Sequence, residues 1–337
     1  MKVLVTGGSG YIGSHVCVEL LSQGHEIFVI DNYSNSYQEV LDRIRQITNL
    51  DFKFKKCDLN NREDIRTLFS ENKFDAVSHF AGLKSVNESL NFPLKYFHNN
   101  ISGTLNLLDS MIEFNVNKFV FSSSATVYGK PIDLPLTENS LLNPLSPYAS
   151  SKLIVENMLK SISESNPEFK SISLRYFNPV GAHESGLIGE NPKGKPNNVM
   201  PHLAEVAAGR IKEFRIYGDD YKTPDGTGIR DYIHVVDLAR GHIAALEYLD
   251  SNNYLKCLSV NLGVGTGASV FELLKQYEKV AEKKIPYVVC DRRAGDLDSC
   301  YSDVSLAKEI LGWTADYNLE RMCRDSWNWI LNNKLQH

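Results

Sequence analysis

Short apolar runs recur through the first half of the chain, each separated from the next by a helix-length stretch. Val3-Leu4-Val5 reads as a buried strand. It runs into Thr6-Gly7-Gly8-Ser9-Gly10-Tyr11-Ile12-Gly13 and a helix through Leu21. The same pattern predicts strands at 26–30, 52–54, 76–80, 118–121 and 171–176. Between them, Ile101, Leu105, Leu108 and Ile112 form a one-sided apolar stripe at helical spacing. This alternation implies an α/β fold, a Rossmann-type doubly wound parallel sheet with helices on both faces.

After about residue 178 the texture changes. Residues 179–201 hold four prolines and little periodicity, so a long irregular segment is expected, of the sort that often carries function. Residues 210–337 mix short strands and helices. The expected division is a dinucleotide-binding domain at 1–177 and a smaller mixed α/β domain at 178–337. Part of 231–262 is expected to return to the large sheet, because Ser259-Val260-Asn261-Leu262 looks like another buried strand.

Composition narrows the function classes. The chain has 337 residues, 42% hydrophobic and 23% charged, with a net charge of −5, which leaves no basic footprint for nucleic acid. No apolar run approaches the roughly 20 residues that span a bilayer, so no membrane association is expected. Met1 to Thr6 runs straight into the glycine loop, so no secretory leader is expected. The cysteines (Cys17, Cys57, Cys257, Cys290, Cys300, Cys323) form no C-x-x-C pair and read as reduced thiols of a cytoplasmic protein. Asn87-Glu88-Ser89 matches a glycosylation sequon by chance. No metal site is expected, since His79, His183 and His234 are isolated.

Two local patterns carry chemistry. Gly7, Gly10 and Gly13 follow a strand and open a helix: a tight turn, a backbone approach to pyrophosphate and a close helix packing. The phosphates would rest on the helix N-terminus. Taken alone, a turn-forming glycine cluster looks the same, but Asp31 closes the second strand 18 residues after Gly13, where an acid binds ribose hydroxyls. No Lys or Arg adjoins Asp31, which favours NAD over NADP. Asp58 either caps the adenine with Leu59 or caps a helix.

The second pattern is Tyr148 and Lys152, four apart and therefore on one helical face. A lysine ammonium beside a phenol is expected to lower the tyrosine pKa from about 10 and make it a general base. Ser122-Ser123-Ser124-Ala125-Thr126 follows the fifth strand, at the end that faces the ligand crevice. Ser124 is placed to donate a hydrogen bond to a substrate oxygen.

These residues resemble the extended short-chain dehydrogenase/reductases. Longer stretches resemble the UDP-glucose 4-epimerase family: His79-Phe80-Ala81-Gly82-Leu83-Lys84, Phe121 to Gly129, Leu174 to Ala182 and Gly226 to His234. The resemblance implies NAD-dependent epimerisation at C4 of UDP-glucose and UDP-galactose through a 4-keto-hexose, with NAD retained through turnover. It implies catalytic roles for Ser124, Tyr148 and Lys152. Cofactor contacts are implied at Gly7, Gly10, Tyr11, Ile12, Gly13, Asp31, Asn32, Asn35, Ser36, Asp58, Leu59, Phe80, Ala81, Gly82, Lys84, Asn99 and Phe177. Substrate contacts are implied at Lys84, Thr126, Phe177, Asn178, Asn198, Val199, Tyr217, Arg230, Arg293 and Asp296. The two arginines suit phosphate oxygens as guanidinium forks, and otherwise read as surface ion-pair formers.

One departure bears on specificity. Many bacterial members carry a tyrosine at the sugar-pocket gate after the Arg-Arg-x-Gly-Asp motif. Here Arg292-Arg293-Ala294-Gly295-Asp296 leads to Cys300. A cysteine leaves room for a 2-acetamido group, so UDP-N-acetylglucosamine and UDP-N-acetylgalactosamine are expected substrates too. Rival readings are a 4,6-dehydratase, which needs an acid and base beside the serine where this chain has Ala125-Thr126, and a non-catalytic NAD or nucleotide-sugar sensor. Finally, the stripe at 101–112 and the apolar surface of Leu153, Ile154, Val155, Met158, Leu159 and Ile162 exceed what one sheet face buries. Related enzymes pair such helices, so a homodimer through a helix bundle is expected.

Overall fold

The computed structural model describes residues 1–194, 198–252, 256–293 and 295–333. Six strands come first: β1 Lys2–Thr6, β2 Glu26–Asp31, β3 Lys53–Lys56, β4 Ala76–His79, β5 Lys118–Ser122 and β6 Lys170–Tyr176. Short strands follow at β7 Asn178–Val180, β8 Phe214–Tyr217, β9 Ile229–Arg230 and β10 Tyr232–His234, then β11 Cys257–Leu262, β12 Ala268–Ser269, β13 Tyr287–Cys290 and β14 Ser299–Cys300. The parallel sheet has seven strands in the order β11-β6-β5-β4-β1-β2-β3. The chain reverses direction across the sheet between β1 and β4, and at that switch point a crevice opens beyond the strand ends.

Helices α1 Tyr11–Ser22, α2 Glu39–Thr48, α3 Arg62–Glu71, α4 Val86–Asn91, α5 Pro93–Phe97, α6 Gly103–Glu113 and α7 Pro147–Ser165 belong to the first half. The second half adds α8 Val199–Ala207, α9 Val235–Ser251, α10 Val270–Ala281, α11 Ser305–Leu311 and α12 Leu319–Asn332. Successive strand residues point to opposite faces. Accordingly Val3 and Val5 pack with Val16, Leu20, Ile243 and Leu246 from α1 and α9, while Leu4 packs with Ile65, Leu107, Val155 and Leu159 from α3, α6 and α7. A third core joins α8, α10 and α12 through Leu203, Leu273, Tyr277, Met322 and Trp329.

The predicted strands all form, with shifted ends. Phe52 stands outside β3, where its ring lies under the Arg45 guanidinium at 4.7 Å. The return of 259–262 to the sheet is realised, since β11 pairs in parallel with β6 from Cys257↔Ser171 to Leu262↔Tyr176. One expectation is corrected. The irregular stretch at 179–201 is interrupted by β7, by a bridge between Ala182 and Gly189, and by α8 from Val199; residues 195–197 lie outside the described residues. The apolar stripe is buried only in part, in keeping with an excess over what the sheet face covers. A π turn at His98–Ser102 precedes α6, whose buried side is Leu107, Leu108 and Met111, while Leu105 and Ile112 are 44% and 42% exposed.

Candidate active site

The glycine loop is built by contacts a side chain would destroy. Gly7 has φ +69°, and a Cβ there would lie 2.7 Å from the Ala81 amide nitrogen, so β1 and β4 meet at this point. A Cβ on Gly13 would lie 2.3 Å from the Gly7 carbonyl oxygen. Gly10 caps α1 with no side-chain hydrogen bond to the first-turn amides, which suits an anion.

Asp31, at the end of β2, is buried and organises the next turn. It accepts from the Ser36 hydroxyl at 2.8 Å and from the amides of Tyr33 and Ser9 at 2.9 and 3.1 Å. Asp58 accepts from Asn32 Nδ2 at 3.0 Å. Burial alone would raise its carboxyl, but hydrogen bonds from Asn60 and Asn32 hold it below the usual range. Asp58 does not cap α3; Asn61 does, accepting from the Asp64 amide.

α7 begins with Ser146 as cap and Pro147 in the first turn. Its buried face carries Tyr148, Lys152 and Glu156 at successive turns beneath the end of β5. Lys152 Nζ donates to the Ser122 carbonyl at 2.7 Å and lies 4.8 Å from the Phe121 ring centroid. Ser124 opens a short 3-10 turn, where its hydroxyl accepts from the Thr126 amide at 3.2 Å and from the Thr126 hydroxyl at 3.0 Å.

The expected tuning of Tyr148 by Lys152 is corrected. Burial raises the Tyr148 phenol, and the opposing pull comes from its hydrogen bond with Ser124. Lys152 is turned to the strand carbonyl, 5.9 Å from the Tyr148 ring centroid, and burial lowers its own ammonium to about 8.

A cavity of about 1480 Å³ runs from this loop to the second half of the chain. Its walls include Gly7, Gly10, Tyr11, Ile12, Gly13, Asp31, Asn32, Asn35 and Ser36. Asp58, Leu59, Phe80, Ala81, Gly82, Lys84 and Asn99 follow, and Ser124, Thr126, Tyr148, Lys152 and Phe177 lie at the centre. Asn178, Asn198, Val199, Tyr217, Arg230, Arg293 and Asp296 line the far end. There Asp296 takes Arg230 at 2.5 Å and Arg293 at 3.0 Å, and the Arg293 guanidinium covers the Tyr217 ring at 4.9 Å. The arginines therefore do pair with an acid, but two cations share one carboxylate at the cavity wall. Ala294 of the Arg-Arg-x-Gly-Asp motif lies outside the described residues.

Cys300 is the exception. It is absent from the wall, because β14 pairs it with Arg230 and the thiol packs beside Val127, Tyr128, Leu136 and Phe177. Burial raises that thiol to about 11. Conversely, Ser122, Tyr176 and Glu190 line the cavity and were not legible as site residues. Tyr176 ends β6, where its hydroxyl pairs with Ser122 Oγ, so its place at a strand's carboxyl end was the available signal. Glu190 sits in the aperiodic segment, where no pattern marks it.

A parallel sheet of this order, with serine, tyrosine and lysine gathered at its switch point, defines the extended short-chain dehydrogenase/reductase class. Residues 4–326 match the family described as GDP-mannose 4,6 dehydratase. The UDP-glucose 4-epimerase of Bacillus subtilis strain 168 is 52% identical over 333 residues, covering 99% of this chain and 98% of that one. The structure of a UDP-glucose-4-epimerase from Stenotrophomonas maltophila, with bound NAD and formylated UDP-arabinopyranose, superposes with a TM-score of 0.96 at 46% identity over 98% of each chain. That from Bifidobacterium longum, in complex with NAD+ and UDP, gives 0.94 at 48% identity over 99% of each. The chain belongs to the UDP-glucose 4-epimerase family.

Proposed function

We propose that this chain interconverts UDP-glucose and UDP-galactose with a retained NAD. One observation carries the reading: Ser124, Tyr148 and Lys152 stand between a dinucleotide loop and an arginine-bearing pocket within one cavity. The residues fit NAD. Gly7 and Gly13 keep a cradle that a Cβ would fill, and Asp31 retains acceptor capacity, since a carboxylate offers about four lone-pair sites and three are engaged. When bound, NAD supplies a hydride acceptor and donor at the sugar C4.

Tyr148 takes the proton of the sugar 4-hydroxyl as the C4 hydrogen leaves as hydride. A 4-keto-hexose results, presents its other face and recovers hydride and proton. Ser124 has one hydroxyl proton: directed at Tyr148 it favours the phenolate, and once Tyr148 is protonated it turns to the reacting oxygen of the sugar. Lys152, Asp31, Asn32, Asn35, Ser36 and Asn99 hold the cofactor, while Arg230 and Arg293 grip the pyrophosphate as bidentate forks. Residues 1–177 form the cofactor-binding domain and 178–337 the UDP-sugar-binding domain, with β11 contributed back to the large sheet. A coupled assay of UDP-galactose turnover tests the reading; bound NAD without turnover would favour the sensor alternative.

The substrate range extends to the N-acetylated UDP-hexosamines. Support comes from the small side chain at Cys300, which packs against a cluster that includes the cavity residue Phe177. The chain acts as a homodimer: Leu105, Ile112 and Ile154 of α6 and α7 are exposed, as are Leu90, Phe92 and Leu94 in the segment of α4 and α5 that precedes α6. Light scattering at micromolar concentration reads its mass. Six unpaired thiols suit the reducing cytoplasm.

A further inference from the structure

Glu190 is a buried carboxylate in the cavity wall that the mechanism above does not use. Its side chain is 8% exposed. One oxygen, Oε1, accepts both from Lys84 Nζ and from Asn198 Nδ2, each at 2.7 Å. Lys84 comes from the loop after β4, on the cofactor side. Asn198 stands at the start of α8, on the nucleotide-sugar side.

The backbone that carries Glu190 is anchored at several points. The preceding residue, Gly189, lies flat on Trp329, where a Cβ would approach the indole to 2.6 Å. The Leu187 carbonyl accepts from Arg43 Nη1 at 3.0 Å. Farther along, Lys193 Nζ donates to the Tyr33 carbonyl at 2.6 Å, and its amide donates to Asn35 Oδ1 at 3.2 Å. The carboxylate therefore stays in place while Lys84 and Asn198 converge on it. A lysine side chain is otherwise a long flexible stem, and ordering it at binding costs affinity.

Resting on the epimerase reading, we propose that Glu190 is a positioning residue that pre-orients Lys84 and Asn198 across the boundary between cofactor and nucleotide sugar. Its contribution lies in binding, because neither of the groups it holds takes part in proton or hydride movement at C4. The effect therefore falls on KM more than on kcat.

The test compares wild type with Glu190→Ala and Glu190→Gln for UDP-galactose turnover, UDP-galactose affinity by calorimetry, bound NAD and thermal unfolding. Loss of a charge-assisted pair of hydrogen bonds is expected to raise KM in Glu190→Ala about tenfold or more, with kcat within about threefold. Glu190→Gln keeps an acceptor oxygen and falls between the two. Once Asn198→Ala is present, Glu190→Ala adds less than it does alone, because the pair is coupled. Unchanged KM and affinity in Glu190→Ala overturn the proposal. So does a fall in melting temperature and kcat with KM intact, which marks a merely structural role. Wild-type protein that binds UDP-galactose without turning it over rejects the epimerase reading, while the affinities still decide Glu190.

Discussion

Lys152 Nζ donates to the Ser122 carbonyl at 2.7 Å, so the cation of α7 is fixed to the strand end that leads into Ser124. This anchor does not involve the Tyr148 hydroxyl. Tyr148→Phe should therefore leave Lys152, folding and NAD content unaltered while removing the proton acceptor. Epimerisation is expected to fall by about 10²–10⁴-fold, the range that a positioned acid-base group contributes. Turnover assays beside the absorbance of bound NAD check both halves; loss of NAD would reject the division of roles.

The hydrogen bond from Ser124 sets a pH prediction. It favours the phenolate of Tyr148 and opposes the rise caused by burial. Without it the phenol holds its proton to higher pH. Activity that needs the phenolate rises through that pKa, so Ser124→Ala should move the acid limb of kcat/KM upward as well as lower the plateau. A limb that stays in place, or moves down, counts against Tyr148 as the base.

Gly13→Ala isolates the loop from the chemistry. The added methyl would lie 2.3 Å from the Gly7 carbonyl oxygen and 2.9 Å from Gly8 Cα, both backbone atoms without freedom to withdraw. Overpacking of this kind costs about 1–3 kcal/mol. The expected result is a lowered melting temperature and protein purified with little NAD. Full NAD content would show that the loop tolerates the shift.

Much of this was legible because strands such as β1 and β4 are buried on both faces. Val3-Leu4-Val5 has no polar face to confuse its reading, and loops at the strand ends fall at the crevice by topology alone. Helix faces were harder. Ile101, Leu105, Leu108 and Ile112 obey helical spacing, yet within α6 only Leu108 of the stripe is buried, while Leu105 and Ile112 stay outward. Electrostatics was harder still. Sequence places Lys152 one turn from Tyr148 yet says nothing of burial, or of the Ser122 carbonyl that claims the ammonium. Glu190 was invisible because it sits in an aperiodic segment and its partner Lys84 comes from the far side of the cavity, after β4.

Cys300 tests specificity from behind the wall. Its side chain packs against a cluster that includes Phe177, which does line the cavity. Cys300→Tyr adds a ring at that position and narrows the sugar end. Turnover of UDP-N-acetylgalactosamine should fall by about 10-fold or more while UDP-galactose turnover changes little, because a lost fit in a pocket is worth about 1–3 kcal/mol. Equal losses on both sugars would mean general damage, and no wild-type activity on the acetamido sugar would remove the extended range.

The last prediction concerns what supports the serine turn. Glu156, one turn beyond Lys152 on α7, pairs with Arg175 at 2.6 Å, both side chains nearly inaccessible. Ser123 donates to the same carboxylate, and Arg175 continues through the Tyr128 hydroxyl at 3.1 Å to Asn261. Burial alone would lower the Arg175 guanidinium, but Glu156 outweighs it and holds the charge. Removing one partner strands the other without water. Arg175→Ala is therefore expected to cost about 3–5 kcal/mol in urea unfolding. Replacing both, as Glu156→Leu with Arg175→Met, should cost clearly less than the two single changes summed, since no charge is left buried. Additive losses would mean that the pair acts as two independent residues. If stability follows this pattern while activity in the double variant remains low, then the Ser123 hydrogen bond to Glu156 matters beyond folding, by fixing the turn from which Ser124 reaches Tyr148.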